Sequence, residues 1–324
     1  MATLYIDRQG CELRLDGRAV AVYEQGNLLA RVPGRMADRV VLSCEMSIST
    51  GALTALAEMG VAVVVVRRGK AAVLVGGPRG DAGRRMKQYA MALDEERRRR
   101  WSGRLVAAKL RGQMRVLRLL AERRVEMRAR VLGALEVMSR GEQRCHEGGL
   151  SVESLRGVEG AGGAAYFSAY REGFAPSLKF TGRNRRPPRD PVNAALSLGY
   201  TMLYAAAVRE IHGAGLDPHV GFYHEVAPGR ASLACDLAEP LRARVDQMVW
   251  GLFRERGLRG DHFQKQGAAC LLGKAGRQVF YAAWREQEES TGRRLRQMTG
   301  MVMRAFGVEE GSEAGEQEDG ETEI

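Results

Sequence analysis

The chain has few cysteines and no long apolar run. Its five cysteines are odd in number and widely separated, and no two form a C-x-x-C pair. This pattern indicates reduced thiols and argues against a zinc or dithiol redox motif. The longest apolar run, VAVVVV, is far shorter than a membrane-spanning helix. The N-terminus, MATLYIDRQG, lacks the basic and apolar regions of a signal peptide. We therefore expect a cytoplasmic protein without a membrane partner.

The charge of the chain is basic but unevenly distributed. Fifty Lys and Arg residues face 39 Asp and Glu, which gives a net charge of +11. The segment from Glu309 to Glu323 holds eight acids and no base, so that 50 basic residues face 31 acids elsewhere. A globular body this basic is typical of nucleic-acid binders. A genome rich in Arg, Ala and Gly codons gives similar totals, so the positions of the charges must decide.

The hydrophobic pattern divides the chain into two parts. The chain has 324 residues, which is more than one hydrophobic core usually organises. Hydrophobic residues make up 45% of it, which is enough for a packed interior. Up to about Val75, short alternating runs predict strands, and SISTGALTALAEMG predicts one short helix capped by Ser49 or Thr50. Beyond that part the period changes to about 3.6. We predict an α+β protein with a β-rich N-terminal domain (1–80), a larger all-helical catalytic domain (81–307) and a disordered acidic tail (308–324).

Two segments of the predicted helical domain have informative patterns. Residues 84–130 carry sixteen Lys or Arg against five acids, with apolar residues at helical spacing. One face of this segment can therefore be buried while the other stays positive. Further along, Asp190 followed by Pro191 predicts a helix start, because aspartate caps free N–H groups and proline suits the first turn. That helix is predicted to end near His212, where glycines follow.

Glu159 lies in RGVEGAGGAAYF, among small residues that allow neighbouring helices to approach closely. The functional interpretation is a carboxylate presented in a crowded site. The alternative is an ordinary exposed helix glutamate. The glycines also suggest a dinucleotide-binding loop, but no strand precedes them at the required spacing.

His224 follows an apolar GFY segment and is expected to be partly buried. A neutral imidazole is a common metal ligand, but a structural histidine explains this residue equally well. A zinc site of His219, His224 and Cys235 matches no familiar spacing. Ser232 is near His224 in sequence, but no G-x-S-x-G elbow supports a serine hydrolase.

Asp236 and Glu239 are three residues apart, which places both carboxylates on one side of a helix. D-x-x-E followed by Pro240 is also typical of a capping box at a helix start. The two roles are compatible. Taken with Glu159 and His224, the two acids predict a divalent metal site whose oxygen-rich donors favour Mg²⁺ or Mn²⁺.

Five basic residues crowd the loop LKFTGRNRRPPRD, with no acid before its final aspartate. They are Lys179, Arg183, Arg185, Arg186 and Arg189. Such a cluster repels itself unless an anion binds, so the loop is predicted to contact DNA phosphates. A solvated charged loop is the simpler alternative.

Four motifs, LRGVEGAGGAAYF, RRPPRDPVNAALSLGYTMLY, LDPHVGFYH and GRASLACDLAEPLRARVD, resemble in this order the CRISPR-associated adaptation integrase family of metal-dependent endonucleases. The resemblance covers most of the helical part and only the order of elements before it. It implies metal ligands at Glu159, His224 and Glu239, with Asp236 as a supporting catalytic carboxylate. It also implies a homodimer that pairs through the N-terminal domain and a small second adaptation protein as partner.

The function predicted from these motifs is a metal-dependent DNA endonuclease and integrase. It would join short fragments of double-stranded DNA into a CRISPR repeat array by transesterification with a 3′ hydroxyl. A non-catalytic basic DNA-binding scaffold and a general nuclease acting on branched DNA repair intermediates remain as alternatives.

Overall fold

The computed structural model describes residues 2–67, 70–74, 82–184 and 187–307. Three predictions lie outside these residues: the domain boundary near residue 80, the disordered tail over 308–324, and the contacts of Arg185 and Arg186.

Two small sheets form the N-terminal part. Their strands are β1 (Ala2–Ile6), β2 (Cys11–Asp16), β3 (Ala19–Glu24), β4 (Asn27–Pro33), β5 (Ala37–Leu42), β6 (Ser47–Ile48), β7 (Ala62–Arg67) and β8 (Lys70–Leu74). One sheet has the order β1-β5-β7-β8 and the other β4-β3-β2-β6. In the first, β1, β5 and β7 are parallel and β8 is antiparallel to β7. The predicted strands are confirmed, and the two-residue β6 was not predicted.

The helix α1 (Thr50–Glu58) lies in this part of the chain, as predicted. The Ser49 hydroxyl caps it by accepting the N–H of Ala52 at 3.1 Å. Gly60, at φ +70°, ends it. Leu56 is fully buried in a core that it shares with Leu13 of β2.

The rest of the described chain is mostly helical. Its longer helices are α2 (Ala82–Leu93), α3 (Glu95–Arg123), α4 (Arg128–Glu147), α5 (Val152–Tyr170), α6 (Pro191–Gly213), α7 (Ser232–Ala238), α8 (Arg242–Arg254) and α9 (Lys274–Ala305). A short antiparallel hairpin, β9 (Phe263–Gln266) and β10 (Ala269–Leu272), corrects the all-helical prediction. Because β9 is largely exposed and reads FQKQ, it carries no alternating apolar signal.

The predicted start of α6 is confirmed. Asp190 accepts the backbone N–H of Asn193 at 2.8 Å, and Pro191 occupies the first turn. The helix ends at Gly213, one residue beyond the predicted end, and Gly215 follows at φ +74°.

The sheet that contains β1, β5 and β7 packs on the helical part. Tyr5 and Tyr281 stack with ring centroids 4.4 Å apart, and the hydroxyls of Ser43 and Tyr281 share a 2.5 Å hydrogen bond. Val41 and Val64 belong to the large core of the helical part. In the part of the chain that the structure describes, no helix is long and apolar enough to cross a membrane.

Candidate active site

Glu159 lies in the middle of α5, which is a continuous helix. Its glycine-rich string is therefore helical, and the dinucleotide-loop interpretation is wrong. A Cβ on Gly162 would come within 2.4 Å of the Leu110 side chain, so α3 and α5 pack as closely as the small residues predicted. The Glu159 side chain remains 22% exposed, at the edge of the core.

Lys109 of α3 joins two of the predicted ligands. Its ammonium pairs with Oε1 of Glu159 and lies 2.7 Å from Oε2 of Glu239. Only 10% of the lysine side chain is exposed. Burying an ammonium without partners is costly. The two carboxylates offset this cost and stabilise the buried lysine.

Glu239 is 3% exposed and begins a 3₁₀ turn, Glu239–Leu241, between α7 and α8. Its Oε1 pairs with Arg242 at 2.9 Å. Burial alone raises the pKa of this carboxyl, but Arg242 and Lys109 together lower it to about 2. Its Oε2, although close to Lys109, has no partner with hydrogen-bond geometry among the described residues. The carboxylate is thus ionised, with one oxygen facing each of two cations.

Asp236 is fully buried in the last turn of α7 and holds the loop that carries His224. Its carboxylate accepts the backbone N–H groups of Phe222, Tyr223 and His224 at 2.7, 3.1 and 2.9 Å. It also lies 2.7 Å from Nδ1 of His224. Because a carboxylate accepts, Nδ1 is the donor, and Nε2 of the neutral imidazole is left as an acceptor or metal ligand.

The capping-box interpretation of Asp236 and Glu239 is wrong. Asp236 accepts from a separate loop, and α8 begins after Leu241 without a side-chain cap. The reason is that Pro240 falls inside the 3₁₀ turn, so that the helix start lies beyond both acids.

Gly221 makes the contact between Asp236 and the loop possible. A Cβ at this position would lie 2.5 Å from Oδ2 of Asp236 and 2.9 Å from the carbonyl carbon of Ser232. Any other residue therefore forces the loop away from α7. The glycine of the GFYH segment has a steric role that is independent of turn geometry.

Tyr223 is a site residue that the sequence analysis did not identify. It is 2% exposed, and its hydroxyl donates to Oε2 of Glu159 at 2.5 Å. Burial, and then the charge of Glu159, raise the pKa of this phenol, so it stays protonated. Between Tyr223 and Lys109, both oxygens of Glu159 are engaged.

The donor set fits a hard divalent cation in residue type and charge. Two carboxylates from different elements already share one cation, and His224 keeps Nε2 available. As placed, no three His, Cys, Asp or Glu side chains of the described residues are grouped closely enough to hold a metal ion. The ammonium of Lys109 lies between two of the three predicted ligands.

The other candidates in this segment gain no support. His219 is 60% exposed and pairs with Asp217 at 3.2 Å. The Ser232 hydroxyl is buried and donates to the carbonyl oxygen of Glu225 at 2.7 Å, which leaves it committed to the backbone.

The described residues of the basic loop fall into two groups. Lys179 and Arg189 are exposed. Arg183 is half-buried against α6, where its guanidinium donates to Asn193 Oδ1 at 2.8 Å and Ser197 Oγ at 3.1 Å and lies over the Tyr200 ring. Arg183 therefore anchors the loop, while Lys179 and Arg189 are accessible to solvent.

A second basic surface, which we call the α3 groove, lies between α3, the end of α4 and the start of α5. It encloses about 530 Å³. Arg99, Arg100, Arg104 and His146 contribute its basic side chains, and Glu96 is the one acid among the residues that line it. The guanidinium of Arg104 lies over the Trp101 ring at 5.0 Å. The arginines of this groove lie in the segment 84–130, for which a positive face was predicted.

The chain is similar to a class of CRISPR-associated proteins. The family model described as CRISPR associated protein Cas1 matches residues 4–286. The chain therefore belongs to the Cas1 family, the adaptation integrase family that its motifs resemble. Among curated relatives, the CRISPR-associated endonuclease Cas1 1 of Thermodesulfovibrio yellowstonii is 36% identical over 290 residues, which cover 88% of this chain and 91% of that protein.

Solved structures show the same fold. A Cas1 protein from Thermotoga maritima superposes with a TM-score of 0.84 at 20% identity, covering 96% of this chain and 100% of that one. A casposase bound to integration product has a TM-score of 0.81 at 22% identity, covering 96% and 92%. A Cas6-RT-Cas1–Cas2 complex has a TM-score of 0.84 at 21% identity, covering 94% of this chain and 35% of that one.

Proposed function

We propose that this chain is a metal-dependent DNA endonuclease and integrase of CRISPR adaptation. In the proposed reaction, the 3′ hydroxyl of a short DNA fragment attacks a phosphodiester at the edge of a repeat. The observation that carries the proposal is the meeting of Glu159 and Glu239 at one buried cation, beside a histidine that a buried aspartate orients. Membership of a family whose curated relatives are named endonucleases supports it.

In this proposal Glu159, Glu239 and Nε2 of His224 hold the metal, Mg²⁺ or Mn²⁺. A bound divalent ion of this kind polarises a phosphoryl oxygen and offsets charge on the attacking or leaving oxygen. Asp236 fixes the tautomer and direction of His224. Because all its contacts are to the loop and it is fully buried, Asp236 orients the imidazole and does not itself meet the substrate.

The partners in the proposal are double-stranded DNA, a second copy of the chain and a small second adaptation protein. The solved structures that share this fold include a casposase bound to integration product and a Cas6-RT-Cas1–Cas2 complex, which support these partners. Insertion of two fragment ends needs two active sites, which a homodimer pairing through its N-terminal domain supplies. Exposed Lys179 and Arg189 and the α3 groove would neutralise phosphates without reading sequence. Because the proposed substrates are DNA fragments and a repeat array, we propose that the protein acts in the cytoplasm.

The deciding experiment is strand transfer. The protein and the small partner are incubated with a 3′-hydroxyl duplex and a supercoiled repeat-containing plasmid, in Mn²⁺, Mg²⁺ or EDTA. We expect metal-dependent joining that Glu159→Gln and His224→Gln each reduce by about a hundredfold or more. Matched controls are Glu136→Gln, an exposed helix glutamate, and His219→Gln, an exposed histidine of the same segment. Both controls should join DNA as the unmodified protein does.

The scaffold alternative has one observation in its favour, because Lys109 pairs with both carboxylates as in a structural ion-pair network. A scaffold binds DNA and performs no joining, with or without metal. Cleavage of branched DNA without any preference for repeat-flanked targets would instead indicate a general nuclease. Either result contradicts the proposed function.

A further inference from the structure

Lys109 occupies the space that the two carboxylates of the candidate site enclose. It is 8% exposed overall, and its ammonium pairs with Glu159 and Glu239, which come from α5 and from the turn after α7. The close approach of α3 to that turn fixes this arrangement, since a Cβ on Gly112 would lie 3.2 Å from the carbonyl oxygen of Pro240. The lysine therefore reaches both acids from a rigid neighbouring helix.

Each carboxylate has a second partner that does not depend on Lys109. Glu239 pairs with Arg242, whose guanidinium also lies over the Tyr200 ring at 4.9 Å. Glu159 accepts the hydroxyl of Tyr223. If the ammonium withdraws, both acids stay oriented, with one oxygen of each turned toward the vacated position. Lysine suits this role because it is a point charge on a flexible stem, whereas arginine forms a fixed planar fork.

We propose that Lys109 is a positioning residue that holds Glu159 and Glu239 in place of the divalent ion, and that metal binding must displace its ammonium. The inference rests on the proposed function, in which these acids are metal ligands. Two cations cannot share the enclosed space, because their repulsion in a partly desolvated site is worth several-fold more than in water. Lys109 thus lowers the apparent metal affinity while keeping the metal-free site folded.

The test is Mn²⁺ binding to the whole protein. Binding is measured by EPR as the decrease in the signal of free Mn²⁺. Lys109→Met removes the charge and keeps the length of the side chain, and Lys109→Gln is a second neutral variant in case the first does not fold. We expect Mn²⁺ to bind about tenfold more tightly to the neutral variants than to the unmodified protein. Lys109→Arg, which keeps the charge, should bind no more tightly than the unmodified protein.

Thermal unfolding gives a second readout. Without metal the neutral variants should unfold at a lower temperature, because two neighbouring acids lose their shared cation, and saturating Mn²⁺ should raise their Tm by more than that of the unmodified protein. Arg111→Gln is the matched control. It removes a positive charge from the same helix, but Arg111 pairs with Glu142 and touches neither acid of the site. It should leave both readouts unchanged.

The outcomes separate this inference from the proposed function. Tighter Mn²⁺ binding that disappears when Glu159→Gln is added to Lys109→Met supports displacement. Equal or weaker Mn²⁺ binding in folded neutral variants overturns the displacement of Lys109. If the unmodified protein still binds Mn²⁺ in a Glu159-dependent way, the proposed metal site is retained. No Glu159-dependent Mn²⁺ binding in any variant overturns both.

Discussion

Asp236 acts on the site through the loop that it holds. Its carboxylate has four donors and no exposure to solvent, so the three backbone N–H groups of the loop depend on it. An amide in its place can accept on one atom only and turns an NH₂ group toward N–H donors that need an acceptor. The geometry of His224 is therefore set by a residue that need not touch DNA.

Asp236→Asn should lower the free energy of unfolding by about 2–4 kcal/mol, since buried donors lose a charged acceptor. It should also abolish strand transfer, because Nδ1 of His224 loses the partner that fixes its tautomer. Urea denaturation and the joining assay measure the two effects. Asp261→Asn, at a 67% exposed surface pair, is the control and should change stability by less than about 0.5 kcal/mol. An active Asp236→Asn protein would contradict this role.

Individual residues also show what the sequence could predict and what it could not. Glu159, His224, Asp236 and Glu239 were proposed as site residues because they lie in motifs. Lys109 was counted only as one base of a positive helix, although it falls four residues after Leu105 on the buried stripe of α3. A lysine on an apolar stripe was the available signal. Tyr223 gave no comparable signal, because the partner of a buried tyrosine depends on tertiary contacts.

At the scale of elements, helix α8 is joined to α5 and α6 by one buried acid, Asp246. Its two oxygens accept the hydroxyls of Tyr200 and Tyr166 at 2.5 and 2.9 Å, and its backbone carbonyl accepts that of Tyr170 at 2.7 Å. Burial raises the pKa of this carboxyl to about 6, against the lowering effect of the two phenols. We therefore expect the contribution of this junction to stability to depend on pH.

The contribution of Asp246 to stability should fall as the pH rises from about 4 to about 6. In this window folded Asp246 keeps its proton and unfolded Asp246 has lost it, so the folded state binds more protons. The difference amounts to about 3 kcal/mol. Glu239, with a pKa lowered to about 2, acts oppositely and at lower pH, since its stabilisation is lost as the pH falls from about 4.5 toward about 2.

The variant Asp246→Asn isolates this contribution, because an amide does not titrate. Urea denaturation at pH 4, 5, 6 and 7 should show the stability of the unmodified protein, relative to that of the variant, falling by about 2.5 kcal/mol across the series. All other ionisable groups are the same in both proteins, so their contributions cancel in the difference. Parallel stability curves for the two proteins would contradict the raised pKa.

Elements with local signals were predicted well. Ser49 and Asp190 cap helices with their own side chains, and the strands of the N-terminal part alternate or are continuously apolar. The β9–β10 hairpin was missed because its first strand is polar and its pairing depends on a turn rather than on burial. The 3₁₀ turn at Glu239 was taken for a helix start, since Pro240 is equally suited to both.

At the scale of the whole molecule, the α3 groove brings three arginines of one helix together beside α4 and α5. Its arginines come from the segment in which basic residues outnumber acids most strongly. Glu159 lies on α5 and Lys109 on α3, so the groove and the candidate site share two helices. DNA phosphates held in the groove would therefore lie on the same rigid unit as the site.

DNA affinity should be strongly dependent on salt and should depend on this groove in particular. Binding of a short duplex is expected to weaken by about tenfold or more between roughly 50 and 200 mM salt, because phosphate contacts release counterions. The double variant Arg99→Gln/Arg104→Gln should weaken binding and reduce the slope of log K against log salt by about 2. Arg140→Gln/Arg293→Gln removes the same net charge from exposed helix pairs elsewhere. If the two double variants lose affinity equally, net charge rather than the groove governs binding, whereas a loss confined to the first assigns the phosphates to α3.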